Sequence, residues 1–199
     1  MASNFFALFS RMKNINRWAL MRNNQQETLS QHCLEVAAIA HALAVIGNER
    51  LGKAYDASEA ALIGIYHDMP EIITGDMPTP VKYYNKEIRS CFGEIEKAAQ
   101  QSILATLPED LQESYKPLLI PDERTDIYKL VKAADKISAL IKCVDEKNTG
   151  NKEFSKAEKS TLAAIKDMHC EEADIFIDEF MQGFSLVLDS VLKPQKGEK

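Results

Sequence analysis

Apolar residues recur along this chain at spacings of three and four, the period of a helix face buried on one side. Leu29, Val36, Ile39, Ala40 and Leu43 form one stripe. It predicts a helix opening near Ser30, a candidate N-cap, and running to about Arg50. Ile127, Leu130, Val131, Ala134, Ser138 and Ile141 repeat the pattern on a helix from about Glu123 to Lys147, stopped by Asn148-Thr149-Gly150-Asn151. Between these two, a helix capped by Asp56 with Glu59 ends near His67-Asp68. Pro70 and the run Thr74-Gly75-Asp76-Met77-Pro78-Thr79-Pro80 then enforce a turn and an extended loop. A short helix over Asn4 to Lys13, a long one over Asn85 to Thr106, and a short one opened by Pro108 are also expected. Two more fill Lys152 to Met168 and Glu171 to Leu192. Strictly alternating runs are missing, so the pattern predicts an all-α fold.

Composition narrows this picture. The 199 residues suit one domain spanning 1–199, with a frayed polar tail from Lys193. No apolar run approaches the ~20 residues of a membrane span, and no secretory signal is expected. The four cysteines, Cys33, Cys91, Cys143 and Cys170, form no C-x-x-C pair and read as reduced, buried thiols of a cytoplasmic protein. A net charge of −6 argues against a nucleic-acid polymer as partner.

Some polar residues interrupt the stripes. Asp135 falls on the stripe begun by Ile127, and His32 on that of Leu29. His67-Asp68 follows the apolar run Ala60 to Tyr66, and Glu71 comes three residues later. A carboxylate facing a core is costly without a partner. Two imidazoles and two carboxylates suit Mn, Co, Fe, Ni or Zn better than Mg or Ca. They leave positions for water or substrate, as hydrolysis requires, with Glu71 as a nearby base. Each residue also has a plainer reading: His67 as a helix C-terminal histidine, His32 as a core histidine, Asp135 as a partner of Lys132 or Lys136, Asp76 as a turn former.

The order His32, His67-Asp68, Asp135 on successive helices resembles the HD-domain metal-dependent phosphohydrolases. Ile15-Asn16-Arg17-Trp18, Leu20-Met21-Arg22-Asn23, Tyr66-His67-Asp68, Glu71 and Thr74 to Tyr83 are similar, more narrowly, to the bacterial 5′-deoxynucleotidases. That resemblance implies a multi-helix HD domain around a central metal site and a homodimer. It implies cleavage of deoxyribonucleoside 5′-monophosphates to deoxynucleoside and phosphate, with base tolerance and ribose exclusion. By position, His32, His67, Asp68 and Asp135 would hold one divalent ion per subunit, Co²⁺ or Mn²⁺ favoured, with Zn²⁺, Ni²⁺, Fe²⁺ or Cu²⁺ compatible. Glu71 would move the proton of the attacking water, with Asp68 also at the catalytic centre, and Arg17 would orient the phosphate. Trp18 would pack on sugar or base, and Asp76, Met77, Pro78 and Thr79 would line the sugar, beside His32, Asp68 and Asp135. The rival readings are an HD hydrolase of a triphosphate or cyclic nucleotide, and a non-catalytic nucleotide-binding HD protein. A triphosphate would need more cations than Arg17, with Arg22 and Lys82 the candidates.

Overall fold

The computed structural model describes residues 3–82 and 84–191, without the side chain of Thr79. Its helices, in chain order, are α1 (Phe5–Phe9), α2 (Leu29–Leu51), α3 (Ala57–Tyr66), α4 (Glu71–Thr74), α5 (Thr79–Lys82), α6 (Lys86–Leu104), α7 (Glu109–Leu119), α8 (Asp126–Asn148), α9 (Ser155–Lys166), α10 (Glu171–Phe180) and α11 (Leu188–Val191). Among the described residues the one β feature is an isolated antiparallel bridge, Asn16 to Thr28. The all-α expectation therefore holds.

Several boundaries differ from the sequence expectation. The cap of α2 is Thr28, not Ser30: Thr28 Oγ1 accepts from the Gln31 N–H, and Gln31 Oε1 accepts from the Thr28 N–H. This reciprocal pair satisfies two backbone donors at once, which Ser30 could not do without a Glu or Gln three residues on. The first helix tightens into a 3₁₀ turn over Ser10–Asn14, and a 3₁₀ turn over Lys152–Phe154 precedes α9. The loop after Pro70 contains two single helical turns, α4 and α5, so only 75–78 are irregular. The single last helix is broken: α10 ends at Phe180, a 3₁₀ turn spans Met181–Ser185, and α11 follows. Leu192 and the expected polar tail lie outside the described residues.

The two long helices, α2 and α8, pack on each other and on α3, with α9 and α10 against them. Val36, Ala40, Leu43, Ile63, Val131, Ala134 and Ile137 fill the resulting core. A second apolar cluster, with Phe5, Met12, Leu29, Cys33, Met69, Ile103 and Leu119, lies under α1, α6 and α7. His32, His67-Asp68 and Asp135 are neighbours in sequence of Cys33, Met69 and Ala134, so they fall at the seam of the two clusters. α2 corrects one expectation, because it is long and apolar enough to cross a membrane. Most of its large apolar side chains, Leu34 and Val45 excepted, are instead buried in this domain.

The α2–α3 contact is backbone to backbone. A Cβ at Gly64 would stand 2.7 Å from Ala37 Cα, inside van der Waals contact. Gly64→Ala is therefore expected to cost about 1–3 kcal/mol, the range for over-packing a tight core. It should also loosen metal binding, since Gly64 lies three residues before His67. Denaturant midpoints and bound-metal stoichiometry of the variant check both effects, and a variant with wild-type values would show that the helices can part freely here.

Candidate metal centre

His32 leaves the first turn of α2 with its side chain fully buried, and Asp135 leaves the middle of α8. His67 is the C-cap of α3, and its Nδ1–H donates to Gly64 O at 2.8 Å. The plain reading of His67 as a helix C-terminal residue is thus correct for one ring nitrogen: it satisfies a carbonyl the helix leaves open. The other nitrogen is turned inward. One ligand-competent atom from each of His32, His67, Asp68 and Asp135 lies within 4.8 Å of the others.

Asp68 Oδ2 is the hub. It is 3.0 Å from His67 Nε2, 3.5 Å from His32 Nε2 and 3.5 Å from Arg17 Nη1. Asp135 Oδ1 is 3.2 Å from His32 Nε2, and its Oδ2 is 3.6 Å from Lys132 Nζ. Both imidazole Nε2 atoms are buried, and neither makes a hydrogen bond, so the close carboxylates are off the line a proton there would need. The tautomers agree with this. His67 Nδ1 faces a carbonyl and must carry hydrogen. His32 Nδ1 is 2.9 Å from Ser138 Oγ, whose hydrogen goes to Glu35 Oε2 at 2.6 Å, so the ring nitrogen is the donor. Two imidazole Nε2 atoms and two carboxylates then converge on one point. Such an array suits a divalent cation of borderline softness, and the outer hydrogen bonds fix its imidazoles.

The charges of the site depend on each other. Against burial, which opposes ionisation, His67 and His32 hold Asp68 well below the usual carboxylate range, and Lys132 and His32 do the same for Asp135. Burial also opposes a charged His67, yet Asp68 and Cys33 hold it well above its ordinary value. A proton and a metal cation compete for that nitrogen, so metal uptake releases protons.

Glu71 opens α4, and its Oε2 is buried without a hydrogen-bond partner. Burial, then the charges of Asp68 and Asp76, push its carboxyl up to about 9, against the pull of Arg17 and Lys82. Arg17 is kept charged despite burial by Asp135, Asp68, Glu27 and Asp76. Asp76 is thus near enough to act on both Arg17 and Glu71, and with Met77 and Pro78 it is half-buried. The side chain of Thr79 lies outside the described residues. Trp18 packs on Phe154, ring centroids 5.3 Å apart, and its Nε1–H donates to Glu27 Oε2 at 2.9 Å. Arg22 goes elsewhere, onto Glu153 at 2.6 Å, and Lys82 pairs with Glu96 at 2.7 Å. His41 and His169 are exposed, and the four cysteines are free.

Sequence reasoning missed Glu27, Glu35 and Ser138. Ser138 was read as a small residue on an apolar stripe. Its polarity beside Asp135, one helical turn away, was the available signal. The segment holding Trp18 is fixed by Glu146, a buried carboxylate on α8 that accepts from the Asn24 and Gln25 N–H groups, Lys142 and Asn151.

Comparison with known proteins agrees with this geometry. A family model described as 5′-deoxynucleotidase YfbR-like matches residues 4–184. The 5′-deoxynucleotidase of Photorhabdus laumondii is 45% identical over 190 residues, covering 95% of this chain and 96% of that one. Those of Vibrio vulnificus and Escherichia coli O1:K1 are 43% and 44% identical, each over 95% of this chain and over 98% and 96% of their own. Among solved structures, an HD-domain phosphohydrolase of Listeria innocua superposes with a TM-score of 0.80 at 24% identity, over 91% of this chain and 88% of that one. The cyanophage S-2L HD phosphohydrolase bound to dA and one catalytic Zn²⁺ ion gives 0.65 at 17%, over 89% and 95%. The family model over residues 4–184 and these full-length relatives place the chain in the YfbR-like 5′-deoxynucleotidase family, with a fold shared by HD-domain phosphohydrolases.

Proposed function

We propose that this chain hydrolyses deoxyribonucleoside 5′-monophosphates to deoxynucleoside and phosphate, using one divalent ion per subunit held by His32, His67, Asp68 and Asp135. The observation that carries this reading is the pair of unpartnered Nε2 atoms facing two carboxylates, with Glu71 and Arg17 on the same point. The relatives named 5′-deoxynucleotidases support the choice of substrate. The donor set suits Mn²⁺, Co²⁺, Fe²⁺, Ni²⁺ or Zn²⁺ better than Mg²⁺ or Ca²⁺, and the family resemblance favours Mn²⁺ or Co²⁺, with Cu²⁺ also compatible.

A divalent ion in that seat supplies positive charge for the phosphate oxygens and acidifies a water. The side chains do the rest. Arg17 binds phosphate oxygens through its planar fork, already turned toward Asp68. With the charges of Asp68 and Asp76 offset by a divalent ion, Glu71 would be free to accept the proton the attacking water loses and relay it to the leaving 5′ oxygen. Trp18 packs on sugar or base, and Asp76, Met77, Pro78 and Thr79 line the sugar, leaving no partner for a 2′-hydroxyl. A triphosphate substrate is less well served, since Arg22 and Lys82 each already face a carboxylate.

A homodimer fits the exposed apolar side chains of Phe180, Leu186, Val187, Leu188 and Val191. A cytoplasmic setting fits four free thiols, three of them buried. The net charge of −6 fits a small nucleotide rather than a nucleic-acid polymer, and burial of α2 in the core removes the one candidate membrane span among the described residues.

The test is a matched substrate panel. kcat/KM should be similar for dAMP and dTMP, lower for AMP by up to roughly 10²-fold, and near background for 3′-dAMP, whose phosphate would miss the metal. Equal values for dAMP and AMP would refute sugar exclusion. Arg17→Lys keeps the charge but loses the fork, so kcat/KM should drop by about 10–100-fold. Wild-type kinetics in Arg17→Ala would remove the arginine from the reaction.

A further inference from the structure

Trp18 has φ 57, a left-handed backbone conformation that a bulky residue adopts only when its surroundings over-determine it. The Met21 N–H and Asn23 Nδ2 hold its carbonyl, and Glu27 holds its indole and the backbone just before it. The backbone carbonyl of Glu27 accepts from the Arg17 N–H at 2.9 Å, beside the Asn16–Thr28 bridge and the Leu29 N–H to Ile15 O bond. Its side chain, 12% exposed, places Oε2 2.9 Å from Trp18 Nε1 and Oε1 3.7 Å from Arg17 Nε and 3.6 Å from His32 Nδ1. Arg17 Nε is buried and makes no hydrogen bond, so its attraction to Glu27 is coulombic. One carboxylate thus touches the residue assigned to the phosphate, the residue assigned to sugar or base, and the rim of a metal ligand.

We propose that Glu27 is a positioning residue that locks the Trp18 indole and the Arg17 guanidinium into one unit, so that the phosphate arm and the sugar-base wall keep a fixed spacing. This rests on the reading of Arg17 and Trp18 as substrate-binding residues. The two oxygens of Glu27 divide the work. Oε2 sets the plane of the indole through a directed bond, and Oε1 holds the guanidinium from behind while Asp68 faces it from the site. The mechanism does not otherwise use Glu27.

Trp18 is the single tryptophan of the chain, so its emission reports on this side chain alone. In metal-loaded full-length protein, Glu27→Ala should raise KM for dAMP by about 10-fold, the worth of one charge-assisted hydrogen bond. It should increase acrylamide quenching of Trp18 and leave metal stoichiometry unchanged. Glu27→Gln keeps an acceptor for the indole N–H but not the charge behind Arg17. Its KM and quenching should stay within about 2-fold of wild type while kcat falls by roughly 3–10-fold. In a Trp18→Ala background, Glu27→Ala should add little further to KM, because the two act as a unit.

Unchanged KM or unchanged quenching in Glu27→Ala overturns the proposal, as does loss of metal, which would put Glu27 in the service of His32 instead. If Glu27→Ala does not fold, Glu27→Gln decides alone: an unchanged kcat, or a KM or quenching raised well beyond about 2-fold, overturns it. If Trp18→Ala by itself leaves KM unchanged, the substrate role of Trp18 is what fails, and the proposal falls with it.

Discussion

Glu71→Gln is expected to lower kcat by about 10²–10⁴-fold while metal content and dAMP affinity stay near wild type. The amide fills the same space beside Asp68 and Asp76 but can neither accept a proton nor return it. Glu71 is the buried acid of the site with an unpartnered oxygen, and its neighbours push its carboxyl up to about 9. The same feature gives an independent signature in metal-stripped protein. The folded chain keeps the Glu71 proton to about pH 9, whereas the unfolded chain releases it near the ordinary value of 4.5. The folded state therefore binds more protons between those values, and this group's contribution makes stability fall as pH rises through that window. Glu71→Gln removes that dependence, so stripped variant should melt higher than stripped wild type at pH 8, with a smaller difference at pH 5. If the variant instead loses its metal, Glu71 is a ligand or supports one, and the proton-transfer role is wrong.

Metal removal should have the larger effect. Exhaustive chelation is expected to abolish phosphatase activity, and Mn²⁺ or Co²⁺ should restore it better than Ca²⁺, which prefers six to eight oxygens. Asp135→Ala and His67→Ala should not be rescued at metal concentrations that saturate wild type. Loading should also raise the melting temperature, because the ion binds the assembled site and not the unfolded chain. A metal at ~100 times its Kd adds about 2.7 kcal/mol. The reason for expecting so strong a dependence is local. Asp68 and Asp135 crowd the two imidazole Nε2 atoms without making hydrogen bonds to them, and a divalent cation would satisfy all four groups at once. Full activity in protein shown by elemental analysis to contain no metal would end this reading.

What could be read from the residues was whatever broke a regular pattern. His32 and Asp135 were visible because each interrupts an apolar stripe, and His67-Asp68 because it ends an apolar run. Glu27 was not visible. It sits in Asn23-Asn24-Gln25-Gln26-Glu27, a polar run without a period, and its importance comes from a bridge between residues 16 and 28 that no local rule encodes. Glu35 was indistinguishable from a solvated charge on the outer face of α2 until α8 brought Ser138 to it. The Thr28-x-x-Gln31 box was legible, yet Ser30 drew the cap because it stands next to the apolar stripe. The last helix misled in the other direction. Its apolar residues continue past Phe180 with helical spacing, but Phe180, Leu186, Val187 and Leu188 are exposed, so beyond Met181, which still packs on the core, little apolar burial favours one helix through Gly183.

The contact of α2 with α3 at Gly64 bears on which ion the site can discriminate. Donor chemistry resides in four side chains, but the span of the seat is set where two backbones already touch. The rings of His32 and His67 are held with centroids 5.4 Å apart by helices that have no room to approach further. The spacing of the two imidazoles is therefore tied to main-chain packing as well as to rotamer choice. Re-targeting the enzyme to a smaller or larger cation by exchanging ligands would leave that span as it is. The position to redesign is the crossing at Gly64 and Ala37, one layer behind the residues that touch the metal.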